Sequence, residues 1–208
     1  MDPIRKSQAG ERCIILGSGP SAFNFSAPDD IPVIAVNGSI DWVDRASYFF
    51  TLDLSPINRE RMARRCRRAG VQYCMASPDV SELSVIDGIW CFHRVSERGC
   101  EPHPKRTPEW WLWRWSGKPG LEETKGNISN GNSAWGALNL AYHLGFKKVA
   151  LVGVDATREP RVHTGGRPNE LCHLPLLFKS ALGQIDVVSC GKISGIPQMP
   201  LKEWVRNT

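Results

Sequence analysis

No apolar run in the chain approaches the ~20 residues needed to span a bilayer. Residues 1–11 are polar and mixed in charge, without the apolar stretch or small-residue cleavage site of a secretory signal. Both absences predict a cytoplasmic protein with no membrane span. Close zinc-type spacings are missing as well: Cys13, Cys66, Cys74, Cys91, Cys100, Cys172 and Cys190 are scattered, with no CxxC pair. An odd count without an export signal argues against a disulfide framework, so most of the thiols read as reduced core residues. There is no internal repeat. Neither a GxGxxG fingerprint nor a GxxxxGK[ST] phosphate loop occurs, and no DxD motif offers an obvious metal site.

What remains is an ordinary globular composition of 208 residues, 41% hydrophobic and 23% charged, which suits one domain over 1–208 with a sizeable core. Residues 12–16, 33–36 and 48–52 are short apolar runs that stop at small or polar residues. Residues 71–74, 89–92, 149–152 and 185–188 repeat the pattern. Continuous rather than alternating apolar runs belong to strands covered on both faces, which favours a parallel sheet with flanking helices. Helices are predicted over 57–69, over 133–144 with Gly145 ending it, and over 170–182 despite Pro175. Between 96 and 126 the periodicity fails, and Pro102, Pro104, Pro108 and Pro119 accompany Trp110, Trp111, Trp113 and Trp115. The expected architecture is therefore a single-domain, Rossmann-like α/β fold. Its sheet is mostly parallel with helices on both faces, and 96–126 forms a Trp-rich lid or insertion.

In such sheets ligands collect beyond the C-terminal strand ends, where the polar residues of this chain lie. Gly17, Ser18, Gly19, Pro20 and Ser21 follow the first run, and their backbone N–H groups could meet an anion. Asn37 and Gly38 follow the second run, Asp53 the third, and Asp155 the sixth. Gly131, Asn132 and Ser133 open a helix whose N–H groups and dipole favour a phosphate or carboxylate. Alone, each is also explained as a plain turn or cap; together they predict a nucleotide-binding site. The net charge of +5 is uneven, with Arg59, Arg61, Arg64, Arg65, Arg67 and Arg68 within ten positions. Such a run is usually a solvated helix face. With the Trp110–Trp115 segment and its neighbours Lys105, Arg106, Arg114 and Lys118, it nevertheless admits a nucleic-acid partner, aromatic rings stacking on bases while cations meet phosphates. Packing of a lid or a subunit contact explains the tryptophans equally well.

The segments Leu16-Gly17-Ser18-Gly19-Pro20-Ser21, Val36-Asn37-Gly38, Ser129-Asn130-Gly131-Asn132-Ser133 and Gly153-Val154-Asp155 occur in this order. They resemble small bacterial sialyltransferases of the Campylobacter type, and equally the wider group that includes archaeal hydroxymethylpterin pyrophosphokinases (MptE-like). The first resemblance implies a glycosyltransferase with a nucleotide-activated sugar as co-substrate and no tightly bound cofactor. The donor would lie over the strand-end residues named above. It also implies a general base after the Gly-x-Asp strand: His163 is the nearest counterpart, and His173 the second. His173 falls in the apolar pattern of Leu171, Leu174, Leu177 and Phe178, which predicts burial. Ser18 stands where those enzymes carry Asn, Gly38 replaces a polar side chain, and no tyrosine follows Asp155. The second resemblance implies pyrophosphoryl transfer from ATP, with Asp53 and Asp155 as magnesium ligands.

Overall fold

The computed structural model describes residues 11–79 and 87–207. The apolar runs form eight strands: β1 (Arg12–Leu16), β2 (Val33–Val36), β3 (Tyr48–Thr51), β4 (Gln72–Ser77), β5 (Ile89–Val95), β6 (Asn127–Ser129), β7 (Lys148–Val152) and β8 (Asp186–Ser189). They make one sheet in the order β6-β5-β4-β3-β2-β1-β7-β8, with every pairing parallel. Successive side chains of a strand face opposite sides, and both sides of β1 are covered: Cys13 and Ile15 join one core, Ile14 and Leu16 the other. This is the Rossmann-like α/β architecture with helices on both faces.

The helices are α1 (Pro56–Met62), α2 (Pro108–Arg114), α3 (Ser133–Leu144), α4 (Leu174–Ser180) and α5 (Leu201–Arg206). Helix α3 is apolar nearly all round, as a helix sunk between a sheet and other elements must be. Asn132 caps its start through Oδ1, which accepts the Ala134 N–H at 2.8 Å, and Gly145 at φ 88° ends it. Trp135 and Phe178 of α4 meet edge to face beneath the sheet. On the other face Met62 of α1 and Trp204 of α5 close the second core.

The helix expected over 57–69 stops at Met62, and a 3-10 turn follows at Arg64–Cys66. Arg67 turns back so that its Nε donates to the Met62 carbonyl, occupying an acceptor at the end of α1. The helix expected over 170–182 begins only at Leu174, because Pro175 is compatible with the first turn and not with the interior. Between β5 and β6 lies the Trp-rich excursion, which carries α2 and contacts α4. Of the seven cysteines, Cys13 and Cys74 are buried while Cys66 and Cys100 are exposed, so the core holds fewer of them than expected. Among the described residues no helix is long and apolar enough to cross a membrane.

Candidate functional site

The strand order runs one way from β1 through β2 and the other way through β7, so the loops after β1 and β7 diverge and leave a crevice at their C-terminal ends. A cavity of about 310 Å³ lies there. Of the predicted residues, Gly17, Ser18, Gly19, Pro20, Asn37, Gly38, Asp53, Asn132, Ser133 and Asp155 line it, while Ser21 and Gly131 do not.

The glycine turn serves close approach more than anion binding. Gly17 N–H donates to the Val152 carbonyl and Gly19 N–H to the Gly153 carbonyl, both at 2.8 Å. Ser21 N–H donates to Asp155 Oδ2 at 2.9 Å. Three of the amides expected to face a ligand are thus engaged within the fold. A Cβ on Gly17 would fall 2.3 Å from the Gly153 oxygen, so only glycine lets the two strand ends meet. Asp155, 5% exposed, joins three loops: besides Ser21, its Oδ1 accepts the Lys192 N–H at 2.8 Å. Ser21 Oγ in turn accepts the Gly153 N–H at 2.8 Å. Ser21 and Asp155 therefore act first as a latch across the ends of β1, β7 and β8.

Helix α3 brings its N-terminus to the cavity wall, where first-turn N–H groups have no intrahelical acceptor. Ser133 Oγ accepts the Leu52 N–H at 3.1 Å, fixing the helix start beside the end of β3. Opposite the glycine turn stands a polar wall that the sequence reading only half found. Asn58 of α1, 1% exposed, places its Nδ2 within reach of Asn37 Oδ1, Thr51 Oγ1, the Asp53 carbonyl and Asp53 Oδ2, at 3.0–3.4 Å. Its Oδ1 accepts from Arg61 Nη1 at 2.7 Å, which settles which way the amide points. Arg61 is held in turn by the Asp41 carboxylate, through Nε at 3.0 Å and Nη2 at 2.5 Å. Both Asn58 and Arg61 line the cavity. Gly38 leaves room for this arrangement, since a Cβ there would sit 3.3 Å from Arg61 Nη2. The sequence signal was slight: an Asn and an Arg three residues apart, one turn after the polar end of β3, the Arg inside a run read as a solvated basic face.

The loop after Asp155 covers the cavity with Thr157, Glu159, Arg161 and Thr164. Val162 N–H donates to the Ser18 carbonyl at 2.9 Å, and Glu159 pairs with Lys192 at 2.6 Å. His163 belongs to this loop but does not line the cavity; its ring stacks on Trp42 with centroids 4.4 Å apart, on a backbone at φ 63°. His173 is buried as expected, at 1% exposure, and neither ring nitrogen has a hydrogen-bond partner. Burial holds its pKa below the ordinary 6.5, opposed by the Gly131 backbone and the Glu170 carboxylate. Below about pH 6.5 the unfolded chain then binds a proton that the folded chain resists, so this ring removes stability as pH falls. His173→Leu should be as stable as the parent at pH 7 and more stable than it at pH 5, as read by thermal unfolding at both values. Parallel curves for the two proteins would contradict the assignment. The comparison also isolates His173 from His143, which burial shifts the same way.

Five of the six arginines in the run are engaged within the fold, while Arg64 is exposed. Arg59 binds the Leu54 carbonyl, Arg61 binds Asp41 and Asn58, and Arg65 binds Glu60. Arg67 binds the carbonyls of Met62 and Asp87, and Arg68 those of Ile40, Val43 and Asp44. The four tryptophans form their own cluster, with Trp110 Nε1 on Glu101, Trp113 Nε1 on the Gly99 carbonyl and Arg98 over the Trp113 ring. Asn130 fastens the cluster to the β6–α3 connection by donating to Ser96 Oγ and to the carbonyls of Trp115 and Ser116. None of the four lines the cavity.

No family model and no curated protein sequence matches the chain. Among solved structures, the MAf glycosyltransferase of Magnetospirillum magneticum AMB-1 has the same fold, with a TM-score of 0.50 and 14% identity over 91% of this chain. The match spans 33% of that protein's length, so the present chain is similar to a third of a larger molecule.

Proposed function

We propose that the chain is a glycosyltransferase-like enzyme that transfers a sugar from a nucleotide-activated donor to an acceptor hydroxyl. The observation that carries this reading is a cavity at the strand-order reversal where the α3 N-terminus meets a wall of Asn37, Asp53, Asn58 and Arg61. The first suits a phosphate and the second a hydroxylated group. The fold shared with a protein named as a glycosyltransferase supports the reading by analogy of architecture. The α3 N-terminus and Arg161 are the groups placed to meet leaving-group charge. His163 is the proposed general base; to reach the cavity its loop has to turn the ring away from Trp42. Pyrophosphoryl transfer through magnesium at Asp53 and Asp155 is less well supported, because both Asp155 oxygens already accept backbone N–H bonds.

Thermal unfolding with a panel of CMP-, UDP- and GDP-sugars, and with ATP and magnesium, tests this. A sugar nucleotide present at 100 times its Kd should raise Tm by roughly 5–10 °C without added metal, from a binding contribution of about 2.7 kcal/mol. His163→Ala should leave that shift intact and lower transfer about 100-fold. No stabilisation by any sugar nucleotide overturns the reading.

A further inference from the structure

A cation stands at the C-terminal edge of the sheet without a counter-charge. Arg94 is the penultimate residue of β5, and because side chains alternate along a strand it shares the α3 side of the sheet with Trp90 and the buried Phe92. Its Nη1 donates to the Leu52 carbonyl at 3.1 Å, its Nε is buried with no partner, and no carboxylate among the described residues pairs with it. Arg12 and Arg61, which are also partly buried, are each paired with an aspartate, Asp30 and Asp41. Burial pushes the Arg94 guanidinium below its ordinary pKa, with no anion to oppose the shift.

The place of this cation matters more than its isolation. Arg45 also leaves its Nε without a partner, but it precedes β3 and reaches the Ile31 carbonyl ahead of β2, at the opposite edge of the sheet. Arg94 instead meets the start of α3. Leu52 joins the two: its carbonyl accepts from Arg94, and its N–H donates to Ser133 Oγ at 3.1 Å. A second tie fixes the same spacing, since Asn130 donates its N–H to the Val95 carbonyl at 2.7 Å and its Nδ2 to Ser96 Oγ at 3.1 Å. The guanidinium and the first-turn N–H groups of a helix of 12 residues are thus separated by the backbone of a single residue, and both favour negative charge. Asp53, the next residue, directs its carboxylate to Ser55 and Asn58. Arg94 does not line the cavity, but Asp53 and Ser133 do, so this cationic corner borders the cavity on its β5 side.

We infer that Arg94 is an anion-binding residue: with the α3 N-terminus it holds a phosphate or carboxylate of a ligand seated across the Leu52–Ser133 junction. A planar guanidinium suits either group, because its N–H donors can meet two oxygens at once. The anion is supplied by the nucleotide, as a phosphate, or by the second substrate.

Calorimetric titration of the parent chain, Arg94→Gln, Arg94→Lys and Arg45→Gln tests this. The probes are CMP, UDP and GDP, and inorganic phosphate and acetate, the last two titrated both alone and with a nucleotide at saturation. Arg94→Gln should weaken at least one of these probes about tenfold or more, Arg94→Lys should fall between it and the parent, and Arg45→Gln should match the parent. Weaker nucleotide binding identifies a nucleotide phosphate as the bound group. Unchanged nucleotide affinity, with phosphate or acetate lost from the nucleotide-saturated protein, identifies an anionic second substrate. Thermal unfolding separates this role from a structural one: ligand-free Arg94→Gln should unfold no lower than the parent, because it removes a desolvated charge that no protein group offsets. The inference is overturned if Arg94→Gln unfolds well below the parent or does not fold, if it binds every probe as the parent does, or if the parent binds none of them. Arg94-dependent binding of phosphate or acetate by a chain that binds no nucleotide overturns the proposed function and leaves the inference standing.

Discussion

Asp155→Ala should unfold roughly 10 °C below the parent chain. Hydrogen bonds to a charged group contribute about 1.5–3 kcal/mol each, and this carboxylate accepts two of them while 5% exposed. Removing it strands the N–H groups of Ser21 and Lys192, so the expected loss is about 3–5 kcal/mol, and for a chain of this length each kcal/mol moves Tm by about 2–4 °C. Asp155→Asn should fall between the two, because an amide keeps one acceptor and turns a donor toward an N–H. Thermal or urea unfolding of the three proteins reads the order directly. An Asp155→Ala protein as stable as the parent that loses nucleotide binding would mean that the carboxylate serves the ligand and not the fold.

Gly17→Ala is the second large effect. Its new Cβ would lie 2.3 Å from the oxygen and 2.9 Å from the carbon of the Gly153 carbonyl, which is backbone and cannot swing aside. The mirror substitution meets the same wall: a Cβ on Gly153 would lie 2.5 Å from the Gly17 oxygen, at a φ of 64° that disfavours any side chain. Overpacking ordinarily costs about 1–3 kcal/mol and more where neither side can yield. We expect a loss of at least about 3 kcal/mol for Gly17→Ala, with strongly reduced soluble yield. Gly99→Ala is the control, since nothing stands within 4 Å of its Cβ position. Should Gly17→Ala and Gly99→Ala unfold together, the ends of β1 and β7 are not interlocked as described.

The parallel sheet was legible because burial on both faces leaves its mark on every residue of a strand: 12–16, 33–36 and 149–152 can hardly be read otherwise. The polar strand ends were legible for the same reason, as breaks in that pattern. What each polar group does was not, because it depends on partners far away in sequence. The glycine turn reads as an anion cradle until Val152, Gly153 and Asp155 are seen to occupy its amides. Six closely spaced arginines read as a basic face until Arg68 is seen folded onto carbonyls of the 40–44 segment and Arg61 onto Asp41. Asn58 carried only a slight signal, since an asparagine in the first turn of a helix is commonplace. Strand β6 and helix α5, with three and six residues, are too short for periodicity to register.

The Asp155 latch divides the cavity into halves with different freedom to change. On the β1–β7 side, backbone meets backbone and one carboxylate serves two loops, so nearly every substitution there is felt as instability. On the β2–β3 side the wall is made of side chains on α1 and on loop ends, held by bonds that other polar residues could replace. Divergence in the ligand that is accepted should therefore accumulate at positions 37, 53, 58 and 61 while the opposite bank stays fixed. A scaffold built this way can exchange one ligand for another without first having to survive the loss of its own strand ends.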